Sequence, residues 1–217
     1  MKRPTQASAR RTVFLGSGGH ARALWSIVRS DPGVRVVGAT SPRGGELAPG
    51  IPLLGGDEVL PGLFAEGVAC AVVGLGGTAD NAPRRKLHEL ARSLGFELLS
   101  VVAPSAVVAA EATLGRGVQV MPGAIVGPFA ALGDGVLVNS GAIVEHDCVL
   151  EDHAHVATGA RLASGVRVGR GAHVGLGASV RQTVSLGAGA VVGAGAVVLE
   201  DVPAGATVVG VPAKRRP

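Results

Sequence analysis

The sequence predicts a small α/β domain followed by a parallel β-helix. Three observations carry this prediction. From Val108 onward, 16 consecutive hexads run without an insertion, the first residue of each always Val or Leu and the fifth always Ala, Val or Cys. Ahead of them, short apolar runs alternate with helical patterns around a glycine-rich loop, as in a parallel α/β sheet. The composition joins 35 glycines and 47% hydrophobic residues to only 2% aromatics. A disordered chain would be apolar-poor, so disorder is excluded, and so is an aromatic-centred core. The expected domains are 12–101 and 102–217.

The front elements follow in order. Residues 12–16 (TVFLG) read as a buried strand, 21–30 as a helix and 34–39 as a second strand. A helix is expected over 57–66, a strand over 68–74 and a helix over 82–94, stopped by Gly95. Residues 96–102 form a strand leading into the repeats. Between the first strand and helix, Gly16, Gly18 and Ala21 satisfy G-x-G-x-x-A. That spacing suits a backbone cradle for a diphosphate at a helix N-terminus, or simply a tight strand-to-helix turn. An intact NAD site is disfavoured, because Thr40-Ser41-Pro42 stand where an acid should hold a ribose.

The hexads explain the second domain. The fifth residue of one hexad and the first of the next are two apart, so in a strand they share a face. One is small and one is larger, and glycines at the second and fourth positions free the backbone to turn. Strand, corner and strand then coil about an aliphatic axis, with each coil buried only by its neighbours.

Charge and cysteines exclude other classes. The chain has 20 Lys and Arg against 16 Asp and Glu. Lys2, Arg3, Arg10 and Arg11 lie near one end and Lys214, Arg215 and Arg216 near the other, so the body between them is mildly acidic. Nucleic-acid binding needs a basic face on the domain itself, and is not expected. Two cysteines, Cys70 and Cys148, are too few for a disulfide framework. Residues 182–199 are uncharged but glycine-rich and hexad-periodic, so no membrane span is expected. The start lacks a signal peptide's apolar core, and a cytoplasmic location is expected.

Two hexads break the small-residue corners: VEHDCV and LEDHAH bring together Glu145, His146, Asp147, Glu151, Asp152, His153 and His155. A repeat that only had to fold has no use for such a cluster, and histidine suits proton transfer near neutral pH. Cys148 falls on an inward fifth position and reads as a buried small hydrophobe. His155 and His173, 18 residues apart, should stack on adjacent coils. His173 reads as structural. His153, His88 and the run Arg84-Arg85-Lys86 read as solvated.

The chain resembles the hexapeptide-repeat sugar acyltransferases related to the bacillosamine-pathway nucleotide-aminosugar N-acetyltransferase and the sialic acid O-acetyltransferases. TVFLGSGGHARAL, GIPLLGGDEVL, NSGAIVEHDCVLEDHAHVATGARLASGV and VVGVPAK carry the resemblance. It implies a Rossmann-like front domain that holds a nucleotide-linked sugar. It also implies a left-handed β-helix, three hexads per coil, along which acetyl-CoA lies at a homotrimer interface. By this resemblance His146 is the catalytic base, assisted by Asp147 or Glu145. Gly18, Gly19, His20, Thr40, Ser41 and Gly76 are the expected sugar-nucleotide contacts. His155, Ser164, Leu176 and Lys214 are those expected for acetyl-CoA. The implied reaction is acetylation of the amine of a nucleotide-activated amino sugar. The alternatives are sialic-acid-type O-acetylation, or a non-catalytic nucleotide-sugar-binding scaffold. The γ-class carbonic anhydrases share the β-helix and place two zinc histidines five residues apart. Here Glu151 and Ala160 follow His146 and His155 at that step, so no metal is expected.

Overall fold

The computed structural model describes residues 9–42, 44 and 46–216. Lys2 and Arg3 of the basic segment lie outside these. The chain divides into two compact units: one reaches Gly76 and includes Leu87–Leu99, and the other joins Gly77–Lys86 to everything from Ser100 on.

The first unit contains a five-stranded parallel sheet of order β3-β2-β1-β4-β5. Its strands are β1 (Arg10–Leu15), β2 (Val34–Thr40), β3 (Leu53–Gly55), β4 (Cys70–Val73) and β5 (Glu97–Leu98). Helices α1 (Gly19–Val28), α2 (Leu60–Ala65) and the later part of α3 (Ala82–Ser93) connect them. The core is Val13, Leu15, Leu60, Val68, Ala71, Val73, Ala91, Phe96 and Leu98. Two expectations shift. Arg10 and Arg11 belong to β1, where Arg10 meets Glu97 at 3.6 Å and Arg11 donates to the Glu66 carbonyl at 2.5 Å. The helix expected over 57–66 is a 3-10 turn, Asp57–Val59, running into α2 with a proline in its first turn. The strand order reverses on either side of β1, so the loop after β1 sits where open α/β sheets bind ligands.

The second unit is a parallel β-helix of two- and three-residue strands in three ladders. Sheet I has eight strands, from Val101–Val102 to Lys214–Arg215. Sheet II has six, from Val107–Val108 to Val197–Val198, and sheet III has five, from Thr113–Leu114 to Ser185–Leu186. Successive rungs pair 18 residues apart: Ile125 with Ile143, Ala131 with Val149, Leu137 with His155. First and fifth residues fill the axis, from Val118 to Val208, nearly all under 5% exposed. Each buried Val or Leu contributes about 1.5–3 kcal/mol, which compensates for the missing aromatics.

Fourteen of the 16 hexads, all but those with Glu111 and Asp201 in fourth place, repeat one backbone feature. The fourth residue of the hexad adopts a left-handed conformation, with φ of 63–70° in the glycines from Gly117 to Gly195. Four fourth positions keep a side chain there: Phe129 (59°), Asp147 (60°), His153 (61°) and Thr183 (62°). For most L-residues this costs about 1–2 kcal/mol.

Gly77–Lys86 groups with the coils because it is bonded to them. The Asn81 side chain donates to the carbonyls of Gly171 and Ala172 at 3.2 and 3.3 Å, and Arg84 donates to the Gly135 carbonyl. Arg84 is therefore not a solvated helix residue. It is 2% exposed, and burial brings its pKa down to about 10. His88, one turn on, is also buried rather than on the surface.

Candidate active site

The glycine loop is built as its spacing suggests. Gly16 has φ 108°, and a Cβ there would lie 3.4 Å from the Gly74 carbonyl carbon. A Cβ on Gly74 would come within 2.6 Å of that of Ala21, so β4 and α1 meet through two small residues. Gly18 caps α1 without a side-chain hydrogen bond, and a Cβ on Gly18 or Gly19 would meet nothing within 4 Å. Both face open space at the start of α1. His20 is half-exposed and packs beside Gly76, whose added Cβ would lie 3.4 Å from that of His20.

Thr40 stands differently from Ser41. Its side chain is fully buried and donates to Asp57 Oδ1 at 3.0 Å, which ties β2 to the 3-10 turn. Ser41 donates to the Gly44 carbonyl at 3.0 Å, and Ser17, which sequence reasoning passed over, donates to the same carbonyl at 3.2 Å.

In the β-helix, Glu145, His146 and Asp147 occupy the corner between sheets II and III and are exposed. His146 Nδ1 and Asp147 Oδ2 are 2.7 Å apart. The left-handed backbone of Asp147 turns its short carboxylate back onto the neighbouring ring, so it is Asp147 that reaches His146. One coil further, Ser164 stacks over His146, and the Gly165 N–H donates to the His146 carbonyl at 3.0 Å. Beneath, a Cβ on Gly127 would lie 2.7 Å from the His146 nitrogen. Cys148 points inward, fully buried, with its thiol pushed up to about 11 by desolvation.

His155 lies elsewhere. It is on sheet I, paired with His173 in the next coil, the two rings edge to face at 4.8 Å. Both are buried, and burial lowers the pKa of His173. Together they line a cavity of about 380 Å³ with Asn139, Leu176, Val191 and the turn Gly77–Thr78–Ala79. A Cβ on Gly77 would fall 2.3 Å from Asn81 Oδ1 and 3.5 Å from His155 Nδ1. The expected donor contacts thus separate. His155 and Leu176 share this cavity, Ser164 belongs to the His146 corner, and Lys214 is exposed on the antiparallel last strand of sheet I. His173, Asn81 and Gly77 were not singled out from sequence as site residues. The 18-residue step between the two histidines was their only trace. Among the described residues, no group of three His, Cys, Asp or Glu is placed to hold a metal. None of the helices among them is long and apolar enough to cross a membrane.

Comparison with solved structures defines the class first. PerB from Caulobacter crescentus, in complex with CoA and GDP-perosamine, matches at TM-score 0.89 and 38% identity, over 95% of this chain and 97% of that one. A related structure from the same organism is a histidine mutant of perosamine N-acetyltransferase with the same ligands. The acetyltransferase domain of PglB from Neisseria gonorrhoeae, in complex with acetyl coenzyme A, matches at TM-score 0.89 and 34% identity, over 96% and 100%. WeeI from Acinetobacter baumannii shares the fold at 24% identity and TM-score 0.78, over 94% and 99%. No protein-family model and no curated sequence matches. The fold is that of the left-handed β-helix acetyltransferases. The chain belongs to the hexapeptide-repeat sugar N-acetyltransferases of the bacillosamine type.

Proposed function

We propose that this enzyme transfers the acetyl group of acetyl-CoA to the amine of a nucleotide-linked amino sugar, with His146 as general base. The observation that carries the reading is the 2.7 Å contact between His146 Nδ1 and Asp147, held by a backbone conformation that the other corners mostly reserve for glycine. With the Nδ1 proton donated to Asp147, Nε2 is the atom left to accept one. The sugar amine attacks the thioester carbon, a C–N bond forms, and the amine proton passes to His146. Asp147 stabilises the resulting imidazolium. The C–S bond then breaks, and the departing sulfur takes the proton to leave as CoA. The cavity below Gly77–Ala79 has no charged side chain in its lining, which suits the acetyl end and pantetheine arm of the donor. Lys214, outside it, suits a phosphate. The glycine loop, with Gly18, Gly19, His20, Ser41 and Gly76, suits the nucleotide.

The same geometry supports a reading of the oligomeric state. His146 is at the corner between sheets II and III, whereas His155 is on sheet I, nine residues or half a coil around. One chain points them in opposite directions. If both serve one acetyl group, two chains must supply them, which supports a cyclic trimer.

His146→Ala should lower kcat by about 10²–10⁴-fold, the size of a lost general base, with the fold and acetyl-CoA affinity kept. The assay is thiol release from acetyl-CoA with nucleotide amino sugars. Near-wild-type turnover would remove His146 from the mechanism.

A further inference from the structure

Phe129 combines two oddities. It is one of four phenylalanines in a chain with no tyrosine and one tryptophan, yet it is 66% exposed. It also sits at a fourth hexad position, where its φ of 59° is one that glycine adopts without cost and a bulky residue does not. The fold gains nothing from either feature: the ring fills no core, and glycine serves at most equivalent corners. Strain retained at a site that packing does not require marks a functional position.

Its place in the coil gives the function. The Asp147 N–H donates to the Pro128 carbonyl at 3.1 Å, and flanking rungs pair Ile125 with Ile143 and Ala131 with Val149. Phe129 is therefore one coil from Asp147 on the same corner, about 4.8 Å along the axis. That is about the width of a sugar ring. It lies on the N-terminal side of the His146–Asp147 pair, whereas Ser164, Leu176 and Lys214 lie on the C-terminal side. An acceptor whose amine is in contact with His146 would lay its ring against this edge.

Building on the function proposed above, we propose that Phe129 is a specificity-determining residue for the acceptor: its exposed ring packs against the apolar face of the amino sugar and sets the amine against His146. The nucleotide is held elsewhere, so the contact discriminates among sugars rather than among bases.

Phe129→Gly tests this without risk to the fold, because glycine relieves the backbone. Its melting temperature should equal or exceed the wild type's. With GDP-perosamine and a UDP-linked 4-amino sugar as probes, the better acceptor should show a KM raised roughly 3–10-fold, the size of one aromatic contact. The KM for acetyl-CoA should not move. Phe129→Trp should restore the acceptor KM, and Phe129→Leu should not. Three outcomes overturn the proposal: an unchanged acceptor KM in Phe129→Gly, an equal rise for both substrates, or a lower oligomeric state by sedimentation, which would make the ring a subunit contact. A wild-type enzyme that acetylates neither probe would instead refute the function on which this rests, and the proposal with it.

Discussion

Asp147 shows how one backbone angle can set a carboxylate against a histidine ring. At φ 60° a glycine would be easier, but the Asp147 carboxylate leaving the chain from that conformation reaches Nδ1 of the preceding residue. His173 makes a second point about single residues. Burial holds its pKa below the ordinary 6.5, so folding favours the neutral ring. The unfolded chain takes up this proton first as pH falls. The stabilisation is therefore whole above the unfolded value of 6.5 and is lost as pH falls towards and through the lower folded value. His173→Phe should lose less stability between pH 7 and pH 5 than the wild type, measured as urea midpoints. Equal losses would show that His173 titrates as it does in the unfolded chain. The clustering of Glu145, His146 and Asp147 at one corner was legible in sequence because charged residues interrupted a small-residue pattern. Arg84 and His88 were not legible. They fall on one helical stripe with Ala91, all buried, and a polar residue on a buried stripe carries no sequence signal of its burial. The burial of Thr40 was hidden for a related reason, since its hydroxyl is satisfied by Asp57, a partner 17 residues away.

Among the elements, the glycine loop gives the sharpest test. Space around Gly18 is open and its φ is −75°, so valine fits the folded chain there. Gly18→Val should therefore leave the melting temperature unchanged while obstructing a ligand's approach to the start of α1. The KM for the nucleotide sugar should rise and that for acetyl-CoA stay constant. Equal weakening of both would reduce the loop to a turn. Most elements of the front sheet were readable from apolar runs and glycine punctuation. β3 was not, because three residues after a proline carry too little periodicity. The expected strand over 96–102 splits into β5 and the first rung of sheet I at the break between the units. The hexad ladders were readable throughout, because any slip would turn the whole aliphatic set outward.

Across the whole molecule, the half-coil between His146 and His155 leads to a mixing experiment. His146→Ala and His155→Ala variants, each impaired alone, should regain part of the wild-type turnover when unfolded together and co-refolded. Mixed assemblies then contain interfaces where an intact His146 faces an intact His155. No recovery from confirmed mixed trimers would mean that each chain holds a complete site. What the sequence could not show was the turn Gly77–Ala79 over sheet I. That placement depends on Asn81 and Arg84 meeting carbonyls 51 to 91 residues away.

The 18-residue ladder also makes the second unit behave as a one-dimensional stack, in which each coil pairs with the two beside it and the Gly77–Lys86 segment braces a few of the middle ones. Such a stack opens like a zipper, from its ends inward. The rungs at Val101–Val102 and Lys214–Arg215 are the terminal strands of sheet I, and the His146 corner is well inside both. Amide exchange should therefore be fastest in the terminal rungs and slowest around residues 137–174. The His146–Asp147 pair would then keep its geometry through fraying events at both ends of the stack.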